Sequence, residues 1–151
     1  FISLDLQTVL NGVTDDLVNR VVSNLGTKNI IVVHTSHLIS NFDGFSDDSL
    51  DAELTKSSLA CRITDFLAEL TQKVVAQKEL ILITLGGETS YKCCNAIGAD
   101  QLQLIDEVAP AIALCMDHNA QWIVTKSGNL GGPNTLIEIL NYFENHGGEQ
   151  I

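Results

Sequence analysis

Two glycine-rich corners hold most of the chemical capacity of this chain. GGETS at 86–90 follows the apolar run LILITL and leads into a helix-forming segment. The bare backbone at Gly86 and Gly87 can approach a ligand closely, and N–H groups opening a helix can receive a phosphate. Glu88 sits between the glycines and two hydroxyls, Thr89 and Ser90. The second corner, TKSGNLGG at 125–132, follows the strand-forming run WIVT and precedes Pro133. Lys126 offers a point positive charge, Ser127 and Asn129 offer polar groups, and Gly128, Gly131 and Gly132 allow conformations closed to larger residues. The lysine precedes the glycines, so this is not GxxxxGK[ST]; residues 128–133 read GNLGGP, so it is not GxGxxG. Each corner taken alone also reads as an ordinary α/β turn. Together they fall at the carboxyl ends of two predicted strands, where ligands of open α/β sheets sit, and a phosphate-bearing small molecule is the chemistry they suit.

The elements that must position these corners follow from hydrophobic periodicity. FISLDL at 1–6 reads as a strand. Thr14 caps a helix with Asp15 and Asp16 in its first turn, Leu17, Val21 and Leu25 along its apolar stripe and Gly26 at its end. Ile30 to Val33 is an uninterrupted β-branched run, expected of a strand covered on both faces. Residues 37–49 read as a loop. From about Leu50 to Gln77 a long helix is predicted on the spacing of Leu59, Ile63, Phe66, Leu70 and Val74, with its beginning at LTKSSLA less regular. Leu80–Leu85 is a strand and Thr89–Ile97 a short helix ended by Gly98. LQLIDEV, AIALCM and QWIVTK are three further strands, and Pro133 can sit in the first turn of a last helix bearing Leu136, Ile139, Leu140 and Phe143. Helices alternating with strands predict one α/β domain over 1–151, a three-layer α/β/α sandwich on a mixed, mostly parallel sheet. The strands around 101–125 have no helix between them, which makes that part antiparallel.

Composition narrows the function classes. Eight basic against 19 acidic residues give a formal charge of -11, which argues against a broad nucleic-acid surface. An anionic ligand would need donors converging locally against the field of the protein. Cys61, Cys93, Cys94 and Cys115 contain no CxxC, and His34 and His37 have no third ligand at metal-like spacing, so no metal site is expected. Reduced, mostly buried thiols fit a cytoplasmic protein. No long apolar run and no signal-peptide pattern is present, so no membrane partner is expected. Phe1 stands in what reads as mid-strand, which suggests a piece of a longer protein. Thr35 and Ser36 end the IIVV strand and can line the same edge as the two corners. Glu107 reads either as a ligand-facing carboxylate or as an exposed turn residue. Asp43, Asp47, Asp48 and Asp51 lack calcium-loop spacing and read as a solvated acidic stretch.

VHTS at 33–36, LGGETS at 85–90, DEVAP at 106–110 and VTKSGNLGGPNTL at 124–136 resemble, in order and spacing, the carboxy-terminal nucleotide-binding domain of the four-carbon acid sugar kinase family. The resemblance covers about residues 30–140. It implies a two-domain enzyme whose amino-terminal part binds a sugar acid such as threonate or erythronate. The carboxy-terminal part would bind ATP with Mg²⁺. Gly86, Gly87, Glu88, Thr89 and Ser90 would contact the nucleotide, and Lys126, Ser127, Gly128, Asn129, Gly131 and Gly132 would wrap another side of it. Thr35 and Ser36 match a hydroxyl pair that would face the same cleft, and Glu107, a further candidate for nucleotide contact, matches an acidic residue in the turn before the family's proline. This chain departs from the family pattern at Asp106 and Ala111, where glycines are usual, and at Leu130, where an aromatic is common. It carries no sugar-acid domain, so the isolated chain is expected to transfer little or no phosphoryl group. A non-catalytic binding or regulatory module and a different small-molecule enzyme using Lys126 are the rival readings. A homo-oligomer is compatible with all of them.

Overall fold

The computed structural model describes residues 1–40, 55–128 and 130–146, and it divides into two compact units, Phe1–Lys78 and Glu79–Ile151. In the first unit β1 (Ile2–Ser3) and β2 (Val33–His34) pair in parallel, with α1 (Leu6–Asn11) and α2 (Asp15–Leu25) forming the crossover between them. The predicted first strand is cut short because Asp5 turns the chain into a helix, its carboxylate accepting the Thr8 N–H at 2.7 Å. The helix at Thr14 forms as the sequence predicts: the Thr14 hydroxyl accepts the Leu17 N–H at 3.3 Å, and Leu17, Val18 and Val21 are buried. The Ile30–Val33 run is covered less than expected. Ile30 is exposed, and only Val33 and His34 find a ladder partner, because β1 is two residues long.

α3 (Ser36–Ser40) occupies the start of the predicted loop. α4 (Lys56–Val75) opens in a capping box, Thr55 accepting the Ser58 N–H at 3.1 Å while the Ser58 hydroxyl accepts the Thr55 N–H at 2.9 Å. That box resolves the irregular LTKSSLA stretch as a helix start. The predicted stripe Leu59, Ile63, Phe66, Leu70 and Val74 is buried in full, and α4 packs on α1, α2 and α3. Asp43, Asp47, Asp48 and Asp51 lie outside the described residues.

In the second unit, connection length decides the sheet. β3 (Leu82–Leu85) is followed by α5 (Gly87–Ala96), then by β4 (Leu102–Ala109), β5 (Ile112–Asp117), β6 (Trp122–Lys126) and α6 (Thr135–His146). Pro110 and Ala111 alone join β4 to β5, and residues 118–121 join β5 to β6. Links this short can only reverse the chain, since parallel neighbours need a crossover of roughly a dozen residues or more. The strand order is β3-β6-β5-β4, with β3–β6 parallel and both β6–β5 and β5–β4 antiparallel. The expectation of a mostly parallel sheet is therefore wrong: this larger sheet is mixed and mostly antiparallel. Asp117 closes the second turn, its buried carboxylate accepting the Asn119 and Gln121 N–H groups at 2.8 Å each.

The two faces of this sheet are covered by different helices. Leu82 and Ile123, register partners, pack with Cys94, Ile97 and Ala99 of α5 and its exit. Ile83 and Val124, one residue on, pack with Ile139, Tyr142 and Phe143 of α6. Alternation along the strands puts α5 on one face and α6 on the other, so the described residues of the second unit form three layers by themselves.

The first turn carries a cost. Ala111 has φ 61, a left-handed conformation that a side chain disfavours. Pro followed by a positive-φ residue fits a type II turn, whose third position favours glycine. Ala111→Gly is expected to raise stability by roughly 0.5–1 kcal/mol, the relief of left-handed strain exceeding the entropy glycine adds to the unfolded chain. Chemical denaturation at neutral pH checks it; an unchanged or lower midpoint would mean the turn relaxes around alanine.

Candidate functional site

The geometry places the two glycine corners side by side. β3 and β6 are adjacent and parallel, with Leu85 opposite Lys126, so both chains leave the sheet at the same edge. The Gly86 N–H donates to the Lys126 carbonyl at 2.8 Å and ties the corners together. From there one chain enters α5 on one face and the other leads toward α6 on the opposite face. Loops diverging in this way after adjacent parallel strands open a crevice, the site where ligands of α/β sheets bind. A cleft of about 380 Å³ lies on the α5 side of that edge, lined by α5, by residues 99, 100 and 102, and by Thr125, Lys126 and Ser127. That volume is near the small end of the ~300–1,000 Å³ typical of ligand pockets.

The α5 corner is built for close approach. Gly86 has φ 106, which only glycine adopts without strain, and as the N-cap it supplies no side chain to the orphan N–H groups of the first turn. A Cβ added at Gly87 would meet nothing within 4 Å, so this cleft-lining backbone faces open space. Ser90 also lines the cleft, its hydroxyl donating to the Gly86 carbonyl at 2.8 Å. Thr89 stands close to Gly86, and Glu88 is held 3.8 Å from Lys92 one turn along the exposed side of the helix.

The β6 corner is a loop folded around its own lysine. Lys126 Nζ donates to the Ser127 carbonyl at 3.1 Å and more weakly to that of Gly128 at 3.5 Å. Leu130 N–H returns to the Ser127 carbonyl at 3.2 Å, and the Gly132 N–H donates to the buried Thr135 hydroxyl at 2.7 Å, fixing the loop to the first turn of α6. Gly131 has φ 80 and an added Cβ would stand 2.2 Å from Thr135 Oγ1, so glycine is required there. Gly128 and Gly132 have open space instead. Asn129 lies outside the described residues.

Of the remaining sequence candidates, Thr35, Ser36 and Glu107 do not line this cleft. The Glu107 carboxylate accepts the Ala111 N–H and closes the β4–β5 turn. Asp106 accepts the Glu107 N–H at 2.7 Å and the hydroxyl proton of Tyr142 on α6. Thr35 and Ser36 belong to the first unit, at the end of β2, where the Thr35 carbonyl accepts the Leu38 N–H at 3.0 Å and the Ser36 hydroxyl is bonded to His34 Nδ1 at 3.2 Å. Burial pushes the Cys94 and Cys115 thiols above their ordinary range, which makes them poor nucleophiles. Among the described residues no group of three or more His, Cys, Asp or Glu could hold a metal, and no helix is long and apolar enough to cross a membrane.

Several cleft residues escape the motif reading: Tyr91, Asn95, Asp100 and Leu102. A helical wheel from Gly87 carries the missing signal, since 87, 90, 91, 94 and 95 share one face.

The Asp106–Tyr142 contact has a pH signature. The Tyr142 hydroxyl, then the Glu107 N–H, hold the Asp106 carboxyl below its ordinary value, and Asp106 in turn raises the Tyr142 hydroxyl. A lowered acid stabilises the fold above its unfolded value and loses that contribution as pH falls through the folded one. A raised phenol stabilises below its unfolded value and loses the contribution as pH rises through the folded one. Tyr142→Phe is therefore expected to lower the denaturation midpoint at neutral pH, with the difference from wild type shrinking below about pH 4 and above about pH 10. A pH-independent difference would assign the loss to packing alone.

A cleft with Gly87 and Lys126 in its lining, at the ends of two adjacent parallel strands, is the kind of site at which an α/β unit takes a ligand. The family model described as the nucleotide-binding C-terminal domain matches residues 1–136, and the chain belongs to that family. It is 27% identical over 100 residues to the 3-oxo-tetronate kinase of Cupriavidus necator, covering 65% of this chain and 23% of that protein. It is 27% identical over 96 residues to the D-threonate kinase of Salmonella typhimurium, covering 60% of this chain and again 23% of that protein. Among solved structures, a Haemophilus influenzae protein of the DUF1537 family model superposes with a TM-score of 0.69 at 16% identity, over 94% of this chain and 34% of the other. That likeness concerns the fold. The chain is thus a nucleotide-binding domain distantly related to sugar-acid kinases, and it spans under a quarter of the length of the curated relatives it matches.

Proposed function

We propose that residues 1–151 act as the nucleotide-binding portion of a larger, cytoplasmic, ATP-dependent kinase whose acceptor is a four-carbon sugar acid of the threonate or erythronate type. The observation that carries this reading is the cleft that runs along α5 from the β3–α5 corner and takes in Lys126 and Ser127 at the end of β6. Family membership and the two kinase relatives support it. Gly86, Gly87, Glu88, Thr89 and Ser90 would border the phosphates on one side. Lys126, Ser127, Gly128, Asn129, Gly131 and Gly132 would border them on the other.

The residues present fit a nucleotide. The first turn of α5 has no side-chain cap, Gly87 and Gly128 open onto space, and Lys126 supplies a cation next to them. Mg²⁺ fits as an ion held chiefly by nucleotide phosphates, since it commonly keeps its waters and takes one or two carboxylates at most. Bound there, ATP would supply the phosphoryl group. The chain's own part is to bind and orient it. Phosphoryl transfer rests on in-line positioning of acceptor and donor, which needs an acceptor-binding domain beside this one. The isolated chain is accordingly expected to bind nucleotide and to turn over little or none.

Calorimetric titration with ATP and ADP, with and without Mg²⁺, tests this reading. Saturable binding below millimolar concentration is the expected result. No binding up to millimolar nucleotide by either wild type or Ala111→Gly would reject it.

A further inference from the structure

The glycine corners account for only one end of the cleft. The rest of its lining is chemically different and includes an aromatic residue, Tyr91, an aliphatic one, Leu102, and two polar ones, Asn95 and Asp100. Tyr91 is 65% exposed and Leu102 39% exposed, so apolar surface of two kinds faces solvent within a site. An exposed aromatic ring in a ligand cleft is a stacking platform for a planar base.

Spacing along α5 sets the order of parts. Gly87, Ser90, Tyr91, Cys94 and Asn95 lie along one side of the helix and line the cleft from its amino end to its carboxyl end. At a rise of about 1.5 Å per residue, Asn95 stands about 12 Å beyond Gly87, on the order of the reach from the phosphates of a nucleotide to its base. Asp100 supports the same direction. A carboxylate is unfavourable next to phosphates, and Asp100 follows the carboxyl end of a ten-residue helix about 15 Å long. That exceeds the screening length of about 8 Å at physiological salt.

We propose that the carboxyl-terminal half of the α5 groove is a base subsite for an adenine nucleotide: Tyr91 stacks on the purine, Leu102 offers apolar contact, Asp100 accepts a hydrogen bond from the six-amino group, and Asn95 donates to a ring nitrogen. Ionised Asp is an acceptor without donors, and adenine presents an amino donor beside ring-nitrogen acceptors. Asp100 Oδ1 is 3.8 Å from His118 Nδ1, a long contact between exposed groups that leaves the other carboxylate oxygen for the base. This subsite rests on the nucleotide reading above and adds a selectivity that reading does not contain.

The test titrates the chain with ATP, with inosine triphosphate, in which an oxo group replaces the six-amino group, and with inorganic tripolyphosphate, which has no base. Wild type is expected to prefer ATP over inosine triphosphate by about tenfold. Tyr91→Ala should weaken ATP binding about ten- to hundredfold and leave tripolyphosphate binding unchanged, while Tyr91→Phe stays within about twofold of wild type. Asp100→Asn should narrow the ATP preference without altering tripolyphosphate affinity. ATP binding that ignores both Tyr91→Ala and Asp100→Asn, or an equal affinity of wild type for the two triphosphates, overturns the base subsite and leaves the nucleotide reading standing. Failure of wild type to bind ATP or tripolyphosphate overturns both.

Discussion

Lys126→Ala is expected to weaken nucleotide binding by about ten- to hundredfold, the range of losing one charge-assisted contact to phosphate, while the circular dichroism spectrum stays that of wild type. Two properties of the site set this expectation. Lys126 is the cation lining the cleft, in a chain whose formal charge of -11 otherwise repels an anion. It also holds the carbonyls of Ser127 and Gly128 at 3.1 and 3.5 Å, so its removal turns acceptors loose where donors are needed. The fold should be indifferent, because these contacts are local and partly exposed. Gly128→Val makes the companion case. A Cβ added there would meet no atom within 4 Å beyond its chain neighbours, and the backbone is not in the left-handed region, so a loss of binding with the spectrum unchanged would come from crowding the ligand. Isothermal titration with ATP·Mg²⁺ reads both variants. Wild-type affinity in both would reduce the loop to a plain corner between a strand and a helix.

Three residues further on, glycine serves the fold instead. Gly131→Ala is expected to destabilise the chain by about 3 kcal/mol, the sum of left-handed strain and overlap with a buried side chain. The new Cβ would stand 2.2 Å from Thr135 Oγ1, the same atom that accepts the Gly132 N–H and anchors α6. Thr135 is buried and cannot swing into solvent, so the loop must shift or the cap must break. Urea denaturation measures the loss. In a double-mutant cycle Gly131→Ala with Thr135→Ala should cost less than the sum of the single changes, because the second removes the obstacle the first meets. Additive losses, or a Gly131→Ala midpoint equal to wild type, would contradict the steric account.

How much of this was legible beforehand depends on the range of the interaction involved. Local patterns were readable: the Thr14 cap, the stripe from Leu59 to Val74, and the two corners at strand ends all follow from neighbours along the chain. The direction of the sheet was misjudged, although its cue was present. Only Pro110 and Ala111 separate β4 from β5, and that length forbids a parallel pair. Glu107 was ambiguous because a turn-capping carboxylate and a ligand-facing one look identical in sequence; its bond to the Ala111 N–H shows that it caps the β4–β5 turn. The apolar Ile30–Val33 run overstated its strand because pairing is limited by the partner, and β1 gives way to the Asp5 cap after Ser3. Tyr91, Asn95 and Asp100 were passed over because no motif contains them; they reach the cleft by helical spacing and by the return of the chain after Gly98.

The central claim is that a nucleotide occupies the crevice between the two corners. Backbone amide NMR of the chain during titration with ATP·Mg²⁺ tests it residue by residue. Shift changes concentrated in Gly86–Ser90 and Lys126–Gly132 are the predicted result, with the larger ones at Gly87 and Ser127, which line the cleft. Saturable binding that leaves both segments unmoved would contradict it.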